Sequence, residues 1–87
     1  MKNKYSHSLM VYMKKKHAYS QAEDKLQILA DKLGGKFVGG GTDLTTHKRD
    51  QQYYFKSLEN VETFLGYPTV KESILSEINI VPLDNNE

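Results

Sequence analysis

Apolar residues in this chain are spaced two apart, then at helical intervals, then two apart again, and this order limits the fold more than any other feature. Ser8 to Lys14 is expected to be a strand, with Leu9, Val11 and Met13 on one face and Met10 and Tyr12 on the other. Ser20-Gln21-Ala22-Glu23 has the pattern of a capping box, and Ala22, Leu26, Leu29, Ala30 and Leu33 then form one helical stripe. Gly34-Gly35 ends that helix. Lys36-Phe37-Val38 opens a second strand, which Gly39-Gly40-Gly41 is expected to interrupt. A polar connection from Thr42 to Asp50 leads to a third strand, Gln51 to Lys56, dense in the aromatic residues that suit a pleated surface.

Ser57 is placed to cap a second helix carrying Leu58, Val61, Phe64 and Leu65, with Gly66 as its stop. Thr69-Val70-Lys71-Glu72 repeats the capping-box pattern and opens a short helical turn with Val70, Ile74 and Leu75. Residues Glu77 to Leu83 alternate as a fourth strand that Pro82 confines to a sheet edge. The alternative continues the last helix through Ile78. The order β-α-β-β-α-β is the split βαβ, or ferredoxin-like, plan: an α+β domain with an antiparallel sheet and two helices on one face. Without the last strand, the sheet has three strands.

Eighty-seven residues make one domain, spanning 1–87, with 1–6 and 84–87 expected to fray. A chain this short buries about 60–65% of the surface it exposes when unfolded, so its core is thin. It has no cysteine, which excludes disulfides, thiolate catalysis and cysteine-based zinc sites and favours a cytoplasmic location. The basic start is followed by an apolar stretch, Leu9 to Met13, too short for a signal peptide. No run approaches the roughly 18 apolar residues of a membrane span. Formal net charge is +1, and Arg49 is the only arginine, so no bidentate arginine cluster exists to read phosphates or bases.

Under this topology the end of the first strand, the start of the first helix and the connection between strands two and three meet at one end of the sheet. Lys14, Lys15, Lys16, His17, His47, Lys48 and Arg49 would gather there, close to a helix N-terminus, as an anion- or partner-binding end. Against this, lysine runs at strand ends are commonly just solvated, and Glu23, Asp24, Asp43 and Asp50 offset part of the charge. Gly39-Gly40-Gly41-Thr42 matches neither phosphate-cradling pattern, Walker A or Rossmann, and serves backbone geometry better, as a bulge or a flexible loop. The three histidines form no ligand pair, no serine lies in a nucleophile motif, and no metal or cofactor is expected. Acylphosphatases share the fold plan but place a phosphate-binding arginine between strand one and helix one. Lysines stand there in this chain, and that activity is not supported.

Tyr53 and Phe55 are expected to face the helices. Met10, Tyr12 and Tyr54 then stand on the open face of the sheet as candidate partner contacts. Single-stranded RNA is read by aromatics on such central strands, but the RNP1 pattern that accompanies them is absent. The reading that follows is a small, non-catalytic binding or regulatory protein whose partner is another protein, either a second copy or a host target. A phage or mobile-element accessory protein that inhibits a host protein has this character. The alternative is a binder of single-stranded nucleic acid or of a phosphate-bearing ligand at the basic end. No membrane partner is expected.

Overall fold

The computed structural model describes residues 4–14, 19–46 and 48–83. Its elements run β1 (His7–Met13), α1 (Tyr19–Lys32), β2 (Lys36–Thr42), β3 (Arg49–Phe55), α2 (Leu58–Gly66), α3 (Pro68–Ser73) and β4 (Ile74–Pro82). The strands lie in the order β2-β3-β1-β4, every neighbouring pair antiparallel. This is the α+β, ferredoxin-like arrangement, with a third helix added.

Alternation decides which face is covered. Leu9, Val11 and Met13 of β1 and Tyr53 and Phe55 of β3 point inward and are buried. Leu26 and Ala30 of α1, Val61 and Phe64 of α2, and Val70 of α3 close over them. Phe64 joins the layers, its ring centroid 5.4 Å from that of Tyr53 and 5.2 Å from that of Phe55. Burying one such side chain contributes about 1.5–3 kcal/mol. The least dimension of the molecule is 19 Å, enough for the sheet and one layer of helices about 10–12 Å across. Among the described residues, no helix lies over the other face of the sheet.

Two local devices fix how the helices sit. Gly34 adopts φ 78°, the left-handed conformation that ends α1, and the Gly35 N–H donates to the Ala30 carbonyl at 2.8 Å. A side chain at Gly35 would start 2.7 Å from the Phe55 ring, so the chain turns directly onto the core. Ser57 caps α2, accepting from the Asn60 N–H at 3.1 Å. Asn60 Nδ2 in turn donates to the Leu33 carbonyl at 3.1 Å, tying the end of α1 to the start of α2.

Several expectations are corrected. The triple glycine does not interrupt the second strand: β2 runs through it to Thr42, with the irregularity one residue earlier, between Phe37 and Gly39. The polar connection is correspondingly shorter, and Asp43 Oδ1 closes it by accepting from the Thr45 and Thr46 N–H groups at 2.8 and 3.3 Å. α1 begins at Tyr19, one residue ahead of the expected cap Ser20, whose side chain lies outside the described set.

Thr69 is not a cap either. Pro68 already occupies the start of α3, with Tyr67 as the cap, its fixed φ opening the helix two residues sooner. Ile74 is extended, at φ −121° and ψ 157°, so the last strand starts there rather than at Glu77, and no helix continues to Ile78. β4 is an edge strand, as Pro82 requires. Ser6 is tied to both neighbours of β1: its N–H donates to the Phe55 carbonyl and its carbonyl accepts from the Leu83 N–H, both at 2.8 Å. The tail 84–87 lies outside the described residues.

Candidate functional site

The open face is built by the residues that alternate away from the core. Register places Gly39, Gln52, Met10 and Asn79 in one row across the four strands. The row on one side of it is Lys36, Tyr54, Ser8 and Val81, and that on the other contains Gly41, Asp50 and Tyr12. Met10, Tyr12 and Tyr54, the three expected partner contacts, are therefore on this face, each half-buried by neighbours from the same chain. Tyr5 lies against Tyr54, ring centroids 5.9 Å apart, with Lys4 Nζ 5.5 Å from the Tyr5 ring. At the other end, Lys48 Nζ sits 5.4 Å from the Tyr12 ring and bonds Glu77 Oε1 at 3.1 Å. That pair reaches across β1, joining the start of β3 to β4. Gln52 Nε2 donates to Ser8 Oγ at 2.8 Å between them. Val81 is 53% exposed and Val38 41%, apolar residues at opposite margins of the sheet.

Beneath α1, on the covered face, lies a polar row that the sequence reading did not single out. Arg49 clasps Glu23 through two nitrogens: Nε donates to Oε2, and Nη2 to Oε1 at 3.1 Å. Arg49 Nη1 also donates to Thr42 Oγ1 at 3.0 Å. Gln51 is buried, its Nε2 donating to the Asp50 carbonyl at 3.0 Å. Gln51 Oε1 and the Tyr53 hydroxyl have no hydrogen-bond partner among the described residues. Burial, with the Glu23 charge adding to it, pushes the Tyr53 phenol well above its ordinary value. The row was legible in one respect: the alternation that turns Tyr53 and Phe55 inward turns Gln51 and Arg49 inward too.

Of the seven residues expected at a basic end, Lys15, Lys16, His17 and His47 lie outside the described set. The remaining three are each engaged differently. Lys14 donates its N–H to Ser73 at 3.0 Å and lines a depression of about 450 Å³ with Leu65, Lys71, Ile74 and Ile78. Lys48 is held on the open face by Glu77, and Arg49 on the covered face by Glu23. The described cations thus point to three sides of the molecule rather than at one ligand. His7 bonds Ser6 Oγ through Nδ1 at 2.7 Å. Among the described residues, no group of three metal-ligating side chains gathers, and no helix is long and apolar enough to cross a membrane.

No family model matches the chain, and no curated protein matches it. Among solved structures, the crystal structure of PA3566 from Pseudomonas aeruginosa is similar at 14% identity, covering 91% of this chain and 92% of that one with a TM-score of 0.44. At that distance nothing passes from one protein to the other.

Proposed function

We propose that this is a non-catalytic binding protein that acts by contact with another protein through the open face of its sheet. The observation that carries this reading is the one-sidedness of the fold. Three helices cover one face, while Met10, Tyr12, Tyr54 and Val81 stand on the other with no described element over them. Large aromatic and apolar side chains on an uncovered face are the usual anchors of an interface. An accessory protein that inhibits a host target by covering its surface would work in this way.

A photo-crosslinking residue placed at Tyr12 or Tyr54 in living cells tests the reading. It should capture a protein, whereas the same residue at Ile28, exposed on α1, should not. Capture at Ile28 alone would move the contact to the helices and sink the proposal.

Single-stranded nucleic acid is the second reading, and it draws on Tyr12 and Tyr54 standing on the two central strands. Their spacing weighs against it. Tyr12 pairs with Asp50, four residues along β3 from Tyr54, which separates the two tyrosines by roughly 13 Å. Consecutive stacked bases need closer platforms. The charges weigh against it as well, since Lys48 is held by Glu77 and Asp50 lies in the row of Tyr12.

A further inference from the structure

β4 closes one side of the sheet, and among the described residues no strand lies beyond it. Which of its backbone groups point outward follows from two bonds at the ends of the β1 ladder. The Lys14 N–H donates to the Ser73 carbonyl at 3.0 Å, and the Leu83 N–H to the Ser6 carbonyl at 2.8 Å. Even-numbered residues of β1 therefore bond toward β4, which in this register joins Ser8 to Val81 and Met10 to Asn79. Ile78 and Ile80, which alternate with those partners, turn their N–H and C=O groups away from β1. No hydrogen bond among the described residues uses that outer side. Pro82 takes the next outward position, where a missing N–H costs no ladder bond. Edges of this kind are usually blunted by charge, a bulge or proline. Residues 75–77 have no partner on β1 and form the irregularity at one end, and Pro82 stands at the other. The Ile-Asn-Ile-Val stretch between them, 78–81, carries no charge.

This edge adjoins the depression of about 450 Å³ on the helix side of the sheet. Leu65 of α2 and Ile74, Leu75 and Ile78 of β4 make it apolar. Lys14 and Lys71 line it and no carboxylate does, and neither lysine has an ion-pair partner among the described residues. Ile78 and Ile80 pair with Val11 and Leu9, so their side chains stand on the helix side. Facing residues of paired strands share a face, so a strand added opposite Ile80 and Ile78 would set its own side chains there too.

We infer that the free edge of β4 binds an extended segment of another protein with the pattern apolar-x-apolar-x-acidic, paired antiparallel. Backbone bonds to Ile78 and Ile80 hold the segment, and the depression and its lysines select the side chains. Antiparallel pairing runs the segment from Pro82 toward Ile74. Its apolar residues come first, opposite Ile80 and Ile78. The acidic one, two positions further, passes Ser76 and reaches Lys14 and Lys71. Charge decides this occupant, since two unpaired cations beside an apolar floor are met by a carboxylate at the end of an apolar run. The edge is a different surface from the open face, and crosslinking at Tyr12 is indifferent to it.

Random heptapeptides displayed on phage and selected on the protein are the probe. Enriched sequences should carry the apolar-x-apolar-x-acidic pattern. A synthetic copy of the tightest should slow amide exchange at Ile78 and Ile80 by at least about tenfold. Asn79 and Val81, already bonded to β1, should be unchanged. Lys14→Gln with Lys71→Gln should weaken the peptide by at least about tenfold. Should that variant fail to fold, N-methylation of the peptide amide facing Ile80 leaves the protein intact and should weaken binding by about the same factor. Selection that enriches nothing, or sequences without the pattern, overturns the inference. So does slowing that falls elsewhere or on all four amides alike. Slowing at Ile78 and Ile80 that grows with protein concentration in the absence of peptide gives the edge to a second copy and overturns it too.

Discussion

Gly40 and Tyr53 lie on the same face of the sheet and pose opposite questions, one about space and the other about a missing partner. Gly40→Ala pushes a methyl group into Gln51 and the Asp50 carbonyl and should cost about 1–3 kcal/mol, read as a lower urea midpoint with an unchanged slope. Tyr53→Phe removes a hydroxyl that bonds nothing described, so it should be close to neutral or stabilise by up to about 1 kcal/mol. The same substitution has a pH signature. Below about pH 10 the phenol is protonated in both folded and unfolded chains and contributes no slope. Above it the unfolded chain releases the proton while the buried Tyr53 keeps it, so stability falls by about 1.4 kcal/mol per pH unit from this group. Alkaline unfolding curves of Tyr53→Phe should lack that increment. Such sites are hard to read from sequence because alternation reports which way a side chain points. It does not report whether its polar tip finds a partner, and Gln51 and Arg49 pass through the same pattern as Tyr53 with different outcomes.

At the scale of elements, α1 gives the sharpest contrast. Leu26 is fully buried and Leu29 only half-buried, although both lie on the same stripe. Leu26→Ala should destabilise by about 2–4 kcal/mol and Leu29→Ala by about half as much, measured side by side in urea. Charge reversal separates Lys48 from Arg49 in the same manner. Lys48→Glu, at an exposed pair, should change stability by less than about 1 kcal/mol. Arg49→Glu strands a buried Glu23 beside a like charge and should cost several times more, about 2 kcal/mol after allowing for the 32% of the Arg49 side chain still open to water. Strands β1 and β3 and helices α1 and α2 were legible because their periods are unbroken. The start of β4 was not. Four steps from Ile74 to Ile78 face two steps from Val11 to Met13, so the extra residues break the alternation where the strand begins. β2 was obscured for a related reason: three glycines carry no periodicity, and only the pairing with β3 keeps them in register.

For the whole molecule, the arrangement of elements was readable while the purpose of its surfaces was not, since a fold of this plan places no chemistry by itself. The expected basic end illustrates why. Sequence adjacency puts Lys48 next to Arg49, but successive strand residues face opposite sides, and each cation meets its own carboxylate. A sheet-face contact with another protein, built on Met10, Tyr12 and Tyr54, should hold nearly constant from low to moderate salt, because Lys48 on that face is already paired with Glu77. Nucleic-acid binding through six to ten phosphates would instead weaken by about 10³–10⁵ over a fourfold rise in salt. Titrating any observed association against salt therefore separates the two classes of partner.

The position of β1 bears on how the chain is made. The strand synthesised first sits inside the sheet, paired on one side with β3 and on the other with β4, the last element described. A nascent chain that has reached Phe55 can form the β2-β3-β1 portion, yet one flank of β1 stays bare until Ile74 to Pro82 have been added. During that interval Leu9 and Val11 have one strand neighbour instead of two, on an edge open to pairing with other chains. Completion of the sheet is thus timed by translation of its final strand, and a stalled ribosome short of Ile74 would hold an aggregation-prone intermediate.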